Sequence, residues 1–149
     1  MRISAKGEYA AKAVLHLSLK CPEVVTIHEV ARRHHIPLKY LEHILLELKK
    51  AGLLVSRRGV RGGYTLARPP HGISVGEVLH VVDGKFSQSS CTEVDVEISY
   101  ACPTSDSCGL KQLWQEVQLA MDKILFETTF AEVCSRTKRT PQPAAVARL

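Results

Sequence analysis

The chain has 149 residues, 45% of them hydrophobic and 23% charged, with a formal net charge of +5. Such a length suits one domain with an extension, and such a balance excludes a disordered or low-complexity chain. No stretch approaches the roughly 20 apolar residues of a membrane span, and five cysteines, an odd number, do not make a disulfide scaffold.

The first twelve residues bear Arg2, Lys6, Glu8 and Lys12 and no apolar run, so no secretory leader is expected and the expected location is the cytoplasm. Tyr9, Ala10, Ala13, Val14 and Leu17 recur at helical spacing, with Ser4 as cap and an end near Lys20, before Cys21-Pro22. Thr26 and Glu29 have capping-box spacing and open a short second helix ending at His34-His35. After Ile36-Pro37, the positions Leu38, Leu41, Ile44, Leu45 and Leu48 predict a third helix to Ala51, stopped by Gly52. Two helices joined by a tight turn make a helix-turn-helix spanning Ile27 to Lys50.

The period then changes. Residues 53–58 read as a strand, 59–63 as a Gly-rich turn and 64–68 as a return strand, so a hairpin follows the third helix and completes a winged helix. Its tip carries Arg57, Arg58 and Arg61, which suit phosphates or a narrow minor groove. Ser74 and Glu77 box a fourth helix over 75–82, ended by Asp83-Gly84. Residues 85–109 have little regular signal. A long helix over 110–126 follows, with an apolar stripe of Leu110, Leu113, Trp114, Val117, Met121, Ile124 and Leu125. Thr129 caps a last short helix to Ser135, and the basic, Pro/Ala-rich tail from Arg136 is expected to be disordered.

The fold class expected is mainly α with a small β-hairpin: a winged helix-turn-helix plus a long C-terminal dimerisation helix. The DNA-binding domain covers 1–83, a cysteine-bearing loop 84–109, the dimerisation helix and last short helix 110–135, and the tail 136–149. An amphipathic helix outside a self-sufficient winged helix needs a cover. The same helix of a second chain is the simplest one, folding back on its own domain being the alternative. Residues 1–70 carry 13 Lys and Arg against 5 Glu, a balance of +8, and residues 71–149 carry 7 against 10 Asp and Glu, a balance of −3. A basic half that folds as a winged helix points to double-stranded promoter DNA, a solvated basic face being the alternative. A dimer would set two reading helices about one DNA turn apart.

Cys91, Cys102 and Cys108 fall in one irregular segment, separated by ten and five residues. Three thiolates on a bendable backbone can converge on one centre, and soft sulfur favours an iron–sulfur cluster, zinc or copper(I). Unlinked thiols, or a disulfide between two of them, remain the alternatives. Cys134 reads as packing and Cys21 as incidental. No phosphate loop, nucleophile elbow or zinc-hydrolase motif is present, so neither an enzyme nor a small-molecule substrate is expected.

Several stretches together resemble the BadM/Rrf-type winged-helix transcription regulators, in their iron–sulfur sensor branch. They are MRISAKGEYA at 1–10, IPLKYLE at 36–42, GLLVS at 52–56, Arg58-Gly59, GGYTLA at 62–67 and ISVGEV at 73–78. The resemblance covers residues 1–135 and implies a homodimer on promoter DNA, the third helix in the major groove and the wing in the minor groove. Lys39, Tyr40 and Glu42 then open the reading helix, with packing of Tyr40 on the first helix as its alternative. Arg58 takes the place of the family's wing arginine, flanked by Arg57 and Arg61. The resemblance further implies a 2Fe–2S or 4Fe–4S cluster on Cys91, Cys102 and Cys108, although the first spacing is five residues longer than the sensors' usual one. Lys111 stands where the iron–sulfur regulator type has a histidine ligand. Glu8 stands where the nitric-oxide sensor type uses an acidic ligand from the partner chain, its alternative being an exposed first-turn acid. His34 and His35 are expected at the surface or on the DNA side.

The function expected is therefore a DNA-binding regulator, repressor or activator, whose cluster senses nitric oxide, redox or iron and cluster status. A cluster-free regulator of the same family, controlled by thiol oxidation or a protein partner, is the second reading. A zinc-stabilised structural or adaptor protein is the third.

Overall fold

The computed structural model describes residues 3–84 and 108–139. The expectations that fall on 85–107 and beyond 139, including Cys91, Cys102 and most of the tail, lie outside the described residues. In chain order the elements are α1 (Ala5–Lys20), α2 (Ile27–His34), α3 (Leu38–Lys50), β1 (Leu54–Arg57), β2 (Gly63–Leu66), a single 3-10 turn (Pro70–Gly72), α4 (Val75–Asp83), α5 (Gly109–Glu127) and α6 (Phe130–Arg139).

Local chemistry sets most of the boundaries. Ser4 accepts from the Gly7 N–H at 2.9 Å and starts α1. Ser74 and Glu77 form a complete capping box at α4. Burial pushes the Glu77 carboxyl up, but Arg68 at 2.9 Å and the Ser74 N–H outweigh it and hold it below the usual carboxylate range. At α2 only half of the expected box forms. Thr26 accepts from the Glu29 N–H at 3.2 Å, while the Glu29 carboxylate turns away to His16 on α1. The last helix runs four residues past Ser135. The Ser135 and Thr137 hydroxyls donate to carbonyls four residues back, and Arg136 pairs with Glu132, so residues 136–139 are helical.

One core unites these elements. Ala10, Ala13, Val14 and Leu17 of α1 meet Val30 of α2, Leu41, Ile44, Leu45 and Leu48 of α3, and Val78 of α4, all fully buried. Phe130 plugs the same core from α6, worth about 1.5–3 kcal/mol of burial. It is seated by paired backbone bonds, Phe130 N–H to the Ile73 carbonyl and Val75 N–H to the Thr128 carbonyl, each 2.9 Å. The hairpin is antiparallel, Leu54 opposite Leu66 and Arg57 opposite Gly63. Val25 bonds Tyr64 in both directions at 2.9 and 2.8 Å, so the chain leading into α2 braces the wing. Against this core α5 contributes no fully buried residue.

Candidate nucleic-acid interface

The third helix divides cleanly. Leu41, Ile44, Leu45 and Leu48 face the core, and Lys39, Glu42, His43, Leu46, Lys49 and Lys50 face outward. No side chain caps its first N–H groups, which follow Pro37, leaving the positive end of the helix dipole facing out. The one acid turned inward, Glu47, is held by Lys6 of α1 at 2.7 Å, and the same ammonium donates to the Val82 carbonyl at 3.2 Å. Glu42 has no ion pair or hydrogen bond among the described residues. It is thus an unpartnered acceptor on a basic surface. Tyr40 is 38% exposed, and its ring stands edge-on to Tyr9 of α1, centroids 5.8 Å apart. Tyr40 therefore also fixes α3 against α1. His43 and Leu46 were not among the residues expected on this face. Continuing the helical period from Lys39 and Glu42 by one turn would have found both.

The wing stands beside α3. Lys49 donates to Ser56 of β1 at 2.6 Å, tying the end of the helix to the hairpin. Arg57, Arg58 and Arg61 are all exposed, and Val60 at the tip is fully so. Gly59 has φ of +112°, a conformation a side chain would strain, and Gly62 N–H closes on its carbonyl at 2.8 Å. Residues 57–61 thus gather three exposed arginines on the wing with no acid among them.

Behind the interface, α1 and α2 are joined by a polar chain. His16 Nε2 lies 3.1 Å from Glu29 Oε1, and His34 Nε2 lies 3.2 Å from His16 Nδ1. A carboxylate only accepts, so His16 donates from Nε2 to Glu29, and its Nδ1 faces the His34 ring, the direction of that second bond following the tautomer. Burial, then the charges of His16, Arg33, Lys12 and His35, push the His34 imidazole below its usual value. His34 is half-buried against His16 of α1, where the sequence reading expected it at the surface or on the DNA side. His35 is exposed, in the left-handed conformation that ends α2.

Of the expected cluster ligands, Cys108 and Glu8 are described. Cys108 is half-buried at the N-cap of α5, with no side-chain capping bond. Glu8 is exposed in the first turn of α1 and pairs with Lys12. Among the described residues no three His, Cys, Asp or Glu side chains are gathered to hold a metal ion. Lys111 lies in the first turn of α5, half-buried. Cys134 is buried on α6, where burial pushes its thiol up, with Cys21 adding to the effect and Lys138 opposing it. Cys21 is half-buried against the core. On α5, Leu110, Leu113, Leu119 and Ile124 are exposed, Leu119 by 70% and Ile124 by 65%. No helix among the described residues is long and apolar enough to cross a membrane.

This arrangement has known counterparts. The Rrf2 family, described as iron-dependent transcriptional regulators, matches residues 3–136. An HTH-type transcriptional regulator of Haemophilus influenzae is 33% identical over 137 residues, 91% of this chain and 88% of that protein. The HTH-type transcriptional regulator IscR of Sodalis glossinidius is 33% identical over 136 residues, 91% of this chain and 79% of that one. Among solved structures, CymR, the global cysteine regulator of B. subtilis, matches with a TM-score of 0.74 at 28% identity, covering 91% of this chain and 98% of that one. IscR of T. potens matches with 0.73 at 28% identity, covering 95% and 93%. The winged-helix fold read from the sequence is the fold of these regulators, and they are not enzymes. The chain belongs to the Rrf2 family of DNA-binding transcriptional regulators.

Proposed function

We propose that the chain works as a homodimer whose promoter affinity is set by an iron–sulfur cluster on Cys91, Cys102 and Cys108, completed by Glu8 of the partner subunit. The observation that carries this reading is where the cysteine segment is tied. It leaves α4 at Gly84, one residue after Asp83, which bonds the N-cap of α1, and it ends at Cys108, the N-cap of α5. One end thus grips the DNA-binding core and the other grips the helix whose apolar face is uncovered.

The donor set fits such a group. Three thiolates are soft ligands, and Cys108 stands at the positive end of a helix dipole with no side-chain capping bond. Glu8 is exposed, and its Lys12 pairing is a surface one that a ligand bond can replace. The bound cluster would supply a centre that oxidant, nitric oxide or iron shortage can dismantle. The chain's own residues transmit the change. Asp83 and Ser4 carry it to α1, Lys6 carries it from α1 to Glu47 of the reading helix, and α5 carries it to the second subunit. On DNA, α3 would lie in the major groove with Lys39 and Lys50 at phosphates and Glu42 accepting from cytosine N4. The wing arginines would enter the minor groove.

A second reading, a cluster-free regulator under thiol control, draws on the likeness to CymR and on the neighbouring thiols of Cys21 and Cys134. Membership in a transcription-regulator family weighs against the adaptor reading. The two regulator readings separate in an anaerobic absorbance spectrum with an iron and sulfide count. The cluster reading expects a coloured protein that loses iron in Cys108→Ala and holds it less tightly in Glu8→Ala. Colourless, iron-free protein from iron-replete cells contradicts it.

A further inference from the structure

On the outward face of α3, Leu46 is the one aliphatic side chain. It is 43% exposed, while its neighbours Leu45 and Leu48 are 1% and 0% exposed. It shares that face with Lys39, Glu42 and His43, one turn beyond Glu42. The described residues leave it only partly covered. Lys49, three residues on, donates to Ser56 on the wing. An apolar group among the polar side chains of a reading surface finds its complement in an apolar spot on the DNA.

The major groove offers one such spot. Guanine presents O6 and N7, adenine N7 and N6, and cytosine N4. Pressed against an aliphatic side chain, each of these edges loses water without gaining a partner. Thymine presents its 5-methyl group. We propose that Leu46 is a specificity-determining residue that takes a thymine methyl in the major groove, an inference that rests on α3 being the reading helix. Four residues of helix advance about 6 Å, close to two base steps of roughly 3.4 Å. The thymine therefore lies about two base pairs from the base read by Glu42, once in each half-site of a two-fold operator.

The probe is a randomised duplex pool, selected with the full-length chain. The best duplex is then remade with each thymine replaced singly by uracil, which removes only the methyl. The expected result is one thymine per half-site whose replacement weakens wild-type binding about fourfold. Leu46→Ala binds both forms of that duplex alike and keeps the wild-type salt slope, so its phosphate contacts are intact. Leu46→Asn shifts the preferred base pair at that position. Equal responses of wild type and Leu46→Ala at every thymine overturn the proposal while leaving α3 as the reading helix. Failure to enrich any duplex overturns that docking geometry, and the proposal with it.

Discussion

The Ser4 hydroxyl, which caps α1, donates to the carboxylate of Asp83 at the last residue of α4, 79 positions along the chain. The Ser4 N–H bonds the same carboxylate at 3.3 Å. Two helix ends are thus clasped at the point where the cysteine segment departs. Ser4→Ala removes the cap and the hydroxyl half of the clasp, leaving the N–H bond, and should lower stability by about 1–2 kcal/mol in urea unfolding. Gly7 lies beneath the clasp. A Cβ there would come 2.3 Å from Asp83 Oδ2, so Gly7→Ala must push the carboxylate aside. In an Asp83→Ala background the same substitution should stabilise by about 1 kcal/mol through helix propensity, and in wild type by clearly less. Equal effects in the two backgrounds would contradict the close approach.

The His34 imidazole is held below its ordinary value by burial and by His16, Arg33, Lys12 and His35. Its neutral form is therefore favoured in the folded state. The stability it contributes is present above the unfolded value near 6.5 and is lost as pH falls through the lower folded value. Urea midpoints should decline from pH 7 toward pH 5. His34→Gln should flatten that decline while lowering stability at pH 7. An unchanged pH slope in the variant would contradict the lowered His34 value.

Arg57, Arg58 and Arg61 are exposed on a turn without an acidic neighbour. Single alanine variants at Arg58 or Arg61 should weaken DNA binding across all sequences and lower the log–log salt slope by about one each. Glu42→Gln should act differently. It should change sequence preference at one base pair, by about 1–3 kcal/mol, and leave the slope nearly as it was. Anisotropy titrations at several salt concentrations distinguish the two behaviours.

The uncovered face of α5 predicts the oligomeric state. Ile124→Glu or Leu110→Glu places a charge on that face and should shift sedimentation from dimer to monomer, with the winged helix still folding cooperatively. A dimer as tight as wild type would mean that α5 is not the interface.

Much of the fold was legible because its signals are local. Ser4, Ser74 and Thr26 announce helix starts, and the spacing of Leu41, Ile44, Leu45 and Leu48 gives α3 its inner face. What was not legible depended on long-range partners. Glu29 leaves its capping box because His16, thirteen residues away, competes for the carboxylate. His34 looks like a surface residue until α1 is laid beside α2. Lys39, Tyr40 and Glu42 rest on the resemblance and the wing arginines on the hairpin pattern, and the structure leaves all six exposed. Leu46 and His43 emerge once the buried side of α3 is known, since what remains of the helix faces out. The roles of Cys91 and Cys102 rest on spacing and resemblance.

The central claim is that one centre on Cys91, Cys102 and Cys108 governs DNA affinity. Its most direct test is the operator Kd of anaerobically purified chain, with iron and sulfide counted, measured before and after the cluster is stripped. A coupling of ordinary size predicts a change of about 5- to 150-fold, absent in Cys108→Ala. The same Kd with and without bound iron would contradict the account.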